Sequence, residues 1–187
     1  MKRIAVFCGS NNGILPIYKE GAIVLGQEIA KRGITLIYGG GNVGIMGAVA
    51  DSVLAAGGDV VGVIPQMLVD RERAHSNLKE LIVVSSMHER KRKMADLADA
   101  FIALPGGAGT LDEFFEAFTW AQLGIHQKPC GMLNIGNYYD QLISFFKHMN
   151  EQQFVGDEYH NFTFTGQDPL SLLDSMNEYV QLQKRRV

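Results

Sequence analysis

Cysteine is scarce in this chain. There are two in 187 residues, Cys8 and Cys130, too few for a disulfide framework and at no spacing that suggests a metal site. Excess positive charge is absent as well: the net charge of -3 gives no electrostatic hold on nucleic acid or an anionic membrane, and Lys184-Arg185-Arg186 reads as a solvated chain end. No apolar run approaches the ~20 residues needed to span a bilayer. Residues 1–7 begin like a signal peptide, but the apolar run is too short and no small-residue cleavage site follows. His88, His126, His148 and His160 form no metal spacing, and no Ser/His/Asp signature stands out. His75 falls in a polar loop and is expected to be exposed. No internal repeat, low-complexity stretch or long linker divides the chain, so residues 1–187 are expected to form one domain. These absences leave a cytoplasmic enzyme or binding protein, with no metal or cofactor called for and neither nucleic acid nor membrane as partner.

What the chain does have is a recurrence of apolar, β-branched runs, at residues 4–8, 35–38, 60–64, 81–84, 101–104 and 131–134. Strands apolar on both faces belong to a parallel sheet covered on both sides. Helical spacing lies between them, at 23–30, 48–56 and 114–123, and a final amphipathic helix is expected at 169–182. The alternation predicts an α/β fold with a doubly wound parallel sheet. Residues 68–78 form a polar connection, irregular or briefly helical, and 156–167 carry no clear period. Ligands of such sheets bind beyond the carboxyl ends of the strands. That rule gathers three glycine-bearing turns at one rim, around Gly9-Ser10, residues 39–47 and residues 106–110.

The most informative of these reads Pro105-Gly106-Gly107-Ala108-Gly109-Thr110-Leu111-Asp112-Glu113, directly after an apolar run. Its glycines leave backbone N–H groups open to an anion, and the helix that follows adds its dipole, so a phosphate can be held without any lysine in the loop. Thr110 is placed as the helix N-cap. Glu113, one turn in, is then a carboxylate beside a bound phosphate, or the far half of a Thr110-x-x-Glu113 capping box.

Upstream, Met87, Arg90, Met94 and Leu97 fall on one helical stripe, which turns Arg90 toward the core or a rim cavity. A guanidinium there needs an anion, either a ligand or a protein carboxylate. Gly39-Gly40-Gly41-Asn42-Val43-Gly44 contains the G-x-G-x-x-G string. It follows the second strand, however, and the next strand ends in Val63-Ile64-Pro65 with no acidic residue for a ribose, so NAD binding is disfavoured. Glu72 sits in a charged loop and Thr119 within a helix. Phe114, Phe115, Phe118 and Trp120 form an apolar stripe that suits a core or a subunit interface.

The nine-residue turn, together with Met87-His88-Glu89-Arg90-Lys91, resembles the signature of the LONELY GUY family, the cytokinin riboside 5'-monophosphate phosphoribohydrolases. The similarity runs from residue 4 to about 155 and includes Thr119-Trp120-Ala121-Gln122-Leu123-Gly124. The resemblance implies a Rossmann-like, single-domain homodimer that cleaves the N-glycosidic bond of AMP or a cytokinin riboside monophosphate, releasing free base and ribose 5-phosphate. By motif, Arg90 and Glu113 match the catalytic pair. Lys91, Gly107, Ala108, Gly109, Thr110, Leu111, Asp112, Glu113, Thr119 and Glu72, with Arg90 itself, match substrate contacts. Met46, Met87 or Met132 could line a pocket for a prenyl group. The segment Glu158-Tyr159-His160-Asn161-Phe162 departs from the family pattern. A non-catalytic carrier of a nucleotide or pterin-type cofactor is the alternative, since related folds carry cofactors. The label lysine decarboxylase, sometimes given to similar proteins, finds no lysine placed to anchor pyridoxal phosphate.

Overall fold

The computed structural model describes residues 1–72 and 74–185, apart from the side chains of Asp70 and Glu72. Within them the strands are β1 (Arg3–Phe7), β2 (Thr35–Tyr38), β3 (Val60–Pro65), β4 (Glu80–Val84), β5 (Ala100–Ala103), β6 (Cys130–Leu133) and β7 (Thr163–Gly166). The helices are α1 (Pro16–Lys31), α2 (Gly44–Ala55), α3 (Gln66–Glu72), α4 (Met87–Leu97), α5 (Ala108–Gln122), α6 (Asp140–Glu151) and α7 (Pro169–Lys184). The pairings among these strands are parallel, in the order β4-β3-β2-β1-β5-β6-β7. The doubly wound sheet expected from the apolar runs is therefore present.

Alternate residues of each inner strand feed two cores. Ile4 and Val6 pack with α1, α2 and α7, while Ala5 and Phe7 pack with α4, α5 and α6. Burial of both faces is why these strands read as continuous apolar runs rather than as alternation.

Two elements had no clear signal. β7 is Thr163-Phe164-Thr165-Gly166, an edge strand with only partial burial, which needs ladder bonds to β6 more than apolar side chains. The amphipathic α6 fell between assigned segments and packs Phe146 against Phe115 and Phe118 of α5. The polar connection at 68–78 contains most of α3. His75 is a correction: it is buried, with Nε2 3.0 Å from Asp51 Oδ1 and its N–H donated to the Gly40 carbonyl. A polar neighbourhood in sequence suggests solvent, but the ring contact to Asp51 and the backbone bond to Gly40 hold the residue inside.

Candidate active site

The sheet order reverses direction between β1 and β5, and the connections leaving their carboxyl ends run to opposite faces of the sheet there. A cavity of about 420 Å³ opens at that point, within the range of small-molecule sites. Its floor is Cys8-Gly9-Ser10 after β1 and Pro105-Gly106-Gly107 after β5. Ile45 and Met46 of α2, Leu68 of α3 and Met87 of α4 supply apolar walls, and Tyr18 and Tyr138 stand at the side.

Helix α5 begins at Ala108, with Gly107 as its N-cap in extended backbone and no side chain capping it. This corrects the placement of Thr110, which is inside the first turn, and removes the capping box at Glu113. A glycine can serve as N-cap with little loss, so the cap moved to the residue best able to turn. A Ser-x-x-Glu arrangement exists instead at α4, where Ser86 Oγ accepts from the Glu89 N–H at 3.1 Å. Glu89 in turn accepts from the N–H and hydroxyl of Ser85, which hold its carboxyl below the usual range.

With the cap role gone, Glu113 is committed elsewhere. Its Oε1 lies 3.2 Å from Arg90 Nη2, and both side chains are more than nine-tenths buried at the cavity wall. The two readings of Arg90 thus merge: the anion it faces is a protein carboxylate, and the pair itself lines the cavity. Arg90 Nη1 also rests 3.8 Å from Met87 Sδ, while its Nε has no hydrogen-bond partner. A buried guanidinium N–H without a partner is uncommon.

The triple glycine works at one remove. A Cβ on Gly39 would strike Arg90 Nη2, and a Cβ on Gly44, at φ +60°, would run into the backbone of Ser10. These residues clear space for the arginine and seat α2 on the floor. Cys8 borders the cavity as a neutral thiol, because burial and then the negative charge of Glu113 push its ionisation far up.

The structure brings Arg90, Gly107, Gly109, Thr110, Asp112 and Glu113 together around one cavity. Ala108 and Leu111 belong to the same helical turns but do not line it. Lys91 turns away, its Nζ 3.2 Å from Asp112 and 3.3 Å from Glu116. Burial opposes its charge, yet these carboxylates outweigh the penalty and raise its ionisation. Thr119 is exposed farther along α5, outside the cavity lining. Glu72 ends α3, and its side chain lies outside the described residues. Met46 and Met87 line the cavity, whereas Met132 is buried in the core. Asn11, Tyr18 and Tyr138 were not singled out in the sequence; an aromatic beside Gly136 or Gly13 carries no periodic signal of its own.

Among the described residues, no group of His, Cys, Asp and Glu side chains is arranged to hold a metal ion, and no helix is long and apolar enough to cross a membrane. Among the described residues no lysine lines the cavity, so those present do not fit a pyridoxal phosphate Schiff base.

Residues 46–176 match the family described as "Possible lysine decarboxylase". A cytokinin riboside 5'-monophosphate phosphoribohydrolase of Arabidopsis thaliana is 47% identical over 178 residues, covering 95% of this chain and 82% of the relative. The corresponding enzyme of Oryza sativa subsp. japonica is 45% identical over 179 residues, covering 96% and 74%. Among solved structures, the molybdenum cofactor carrier protein of Chlamydomonas reinhardtii superposes with a TM-score of 0.74 at 19% identity, over 96% of this chain and 98% of that one. The molybdenum cofactor binding protein of Rippkaea orientalis gives 0.72 at 24%, over 96% and 97%. At such identities these two show a shared fold.

Proposed function

The chain belongs to the LONELY GUY family of phosphoribohydrolases, and from that premise we propose that it hydrolyses the N-glycosidic bond of AMP or of cytokinin riboside 5'-monophosphates. Water and nucleotide give free base and ribose 5-phosphate. The observation that carries the reading is the Arg90–Glu113 pair, set at the wall of a cavity whose floor is the glycine turn opening α5.

Each part has a task in that reaction. The N-terminal amides of α5 hold the 5'-phosphate. As the bond to the base stretches, positive charge builds on the ribosyl ring, and the Glu113 carboxylate stabilises it. Water adds at the anomeric carbon and gives up a proton, while the departing base nitrogen takes one. Arg90 steadies Glu113 through a planar fork that an ammonium does not reproduce. Met46, Met87, Ile45 and Leu68 offer the base and any N6 substituent an apolar wall.

In this reading Lys91 acts through Asp112 and Glu116, and Thr119 and Glu72 contribute only where a second copy or a rearranged α3 completes the site. A cytoplasmic homodimer is part of the proposal, supported by the half-buried Trp120 and the exposed Leu123 and Ile125 at the end of α5. A one-chain mass in sedimentation would reject that part.

Glu113→Gln tests the mechanism. Glutamine still accepts from Arg90, so the fold should persist, with a lower melting temperature because the buried guanidinium loses its counter-charge. Release of free base from AMP, followed by chromatography, should fall at least ~100-fold, the scale of a general-base or electrostatic group. Near-normal turnover in this variant would remove Glu113 from the chemistry.

A further inference from the structure

The anion-binding turn has a weakness in its own design. Between Gly106 and Gly107 lies a peptide plane with no Cβ on either side, and such a plane can rotate at little cost. Rotated, it would present the Gly106 carbonyl, instead of the Gly107 N–H, to an arriving anion. A Cβ at Gly106 is barred by Thr110 and by the Gly9 N–H, so a bulkier residue is no remedy at that position.

Four successive carbonyls of this turn are nevertheless held. Leu104 O accepts from the Tyr139 hydroxyl at 2.6 Å, and Pro105 O accepts from the Gly9 N–H at 3.2 Å. Gly106 O accepts from the Tyr138 hydroxyl at 2.6 Å, and Gly107 O from the Leu111 N–H at 3.2 Å. Two of these donors are backbone N–H groups, and a third is the hydroxyl of the buried Tyr139. The fourth, Tyr138, is a half-exposed side chain at the cavity edge, and its hydroxyl is the restraint on the flexible plane. We propose that Tyr138 is a positioning residue that locks the Gly106–Gly107 peptide with the Gly107 N–H available to the substrate phosphate, so that it acts on phosphate recognition rather than on the bond being broken. The inference rests on the function proposed above.

The lock is itself braced. Tyr138 packs edge-on against Tyr18 at 5.6 Å and against Tyr139 at 5.0 Å between ring centres. Asn134 accepts from the Tyr139 N–H at 2.6 Å and donates to Asp140 at 2.7 Å, fixing the start of the tyrosine pair. Gln167 donates to Asn137 at 2.6 Å from the far side. The two hydroxyls differ in burial. Tyr139 is buried, and burial pushes its phenol far up, so it stays a neutral donor. Tyr138 faces water, which can hydrate the Gly106 carbonyl if the hydroxyl is lost but cannot hold the plane.

Tyr138→Phe keeps the ring and removes the lock. Binding of ribose 5-phosphate, measured by calorimetry, should weaken about 10-fold, the equivalent of one lost hydrogen bond. KM for AMP should rise by a similar factor with a smaller change in kcat, and the melting temperature should hold. Tyr139→Phe should show the reverse, a lower melting temperature from the unpaired Leu104 carbonyl. Unchanged ribose 5-phosphate affinity in Tyr138→Phe would overturn the lock, as would a fall in melting temperature that accounts for the loss. If the wild-type protein binds ribose 5-phosphate but cleaves no nucleotide, the proposed function fails while the affinity comparison still decides Tyr138. Absence of ribose 5-phosphate binding by the wild type would overturn both.

Discussion

His126 shows how a residue with no place in the chemistry can shape stability. Its ring tilts on Phe101 at 5.3 Å between centres, and Nδ1 accepts from the Lys128 N–H at 3.2 Å. Burial, and then the charge of Lys128, push its ionisation down to about 4 from 6.5. Between those values the unfolded chain binds the extra proton, so stability should fall as pH drops from about 6.5 to about 4 and level off below. His126→Asn keeps an acceptor near Nδ1 and removes the titration, and should flatten the melting temperature over that window by one group's share. An identical slope in the variant would mean other groups set it. At the same scale, Arg90 was legible because a charge on an apolar stripe is conspicuous, while Thr110 misled because the Ser/Thr-x-x-Glu pattern does not say which residue will turn the chain. Tyr138 and Tyr139 were invisible: their partners lie 32 and 35 residues away, and hydrogen bonds of that span leave no local mark.

Helices α2, α4 and α5 are set around the cavity by close backbone approaches, and two glycines separate positioning from folding. A Cβ on Gly39 meets the far end of the Arg90 side chain, which can swing aside; a Cβ on Gly44 meets the backbone of Ser10, which cannot. Gly39→Ala should therefore melt nearer to wild type than Gly44→Ala does, yet lose most base-releasing activity, because Arg90 leaves Glu113. Gly44→Ala should lower the melting temperature by several degrees, the effect of ~1 kcal/mol or more, from its left-handed φ and the clash together. Equal melting losses in the two variants would contradict this division. Inner strands were legible at this scale, since two-sided burial demands continuous apolar runs. β7 was not, because an edge strand can be specified by ladder bonds alone, and α1, at Pro16–Lys31, starts well before its expected position because its polar first turns hide the period.

The whole molecule places its cavity where the strand order reverses, and that much followed from alternating runs and glycine turns. Fold alone does not choose the chemistry, since proteins of the same architecture carry a molybdenum cofactor. The choice rests on the cavity's contents: a helix N-terminus for phosphate, a paired carboxylate beside it, and apolar walls for a base. The most direct test is the ratio of kcat/KM for AMP to that for adenosine, measured as free adenine in one enzyme preparation. A phosphate held at the turn of α5 contributes both binding and alignment over Glu113, so the ratio should be at least ~100. A ratio near one would contradict the account, because the glycine turn would then play no part in presenting the bond to the carboxylate.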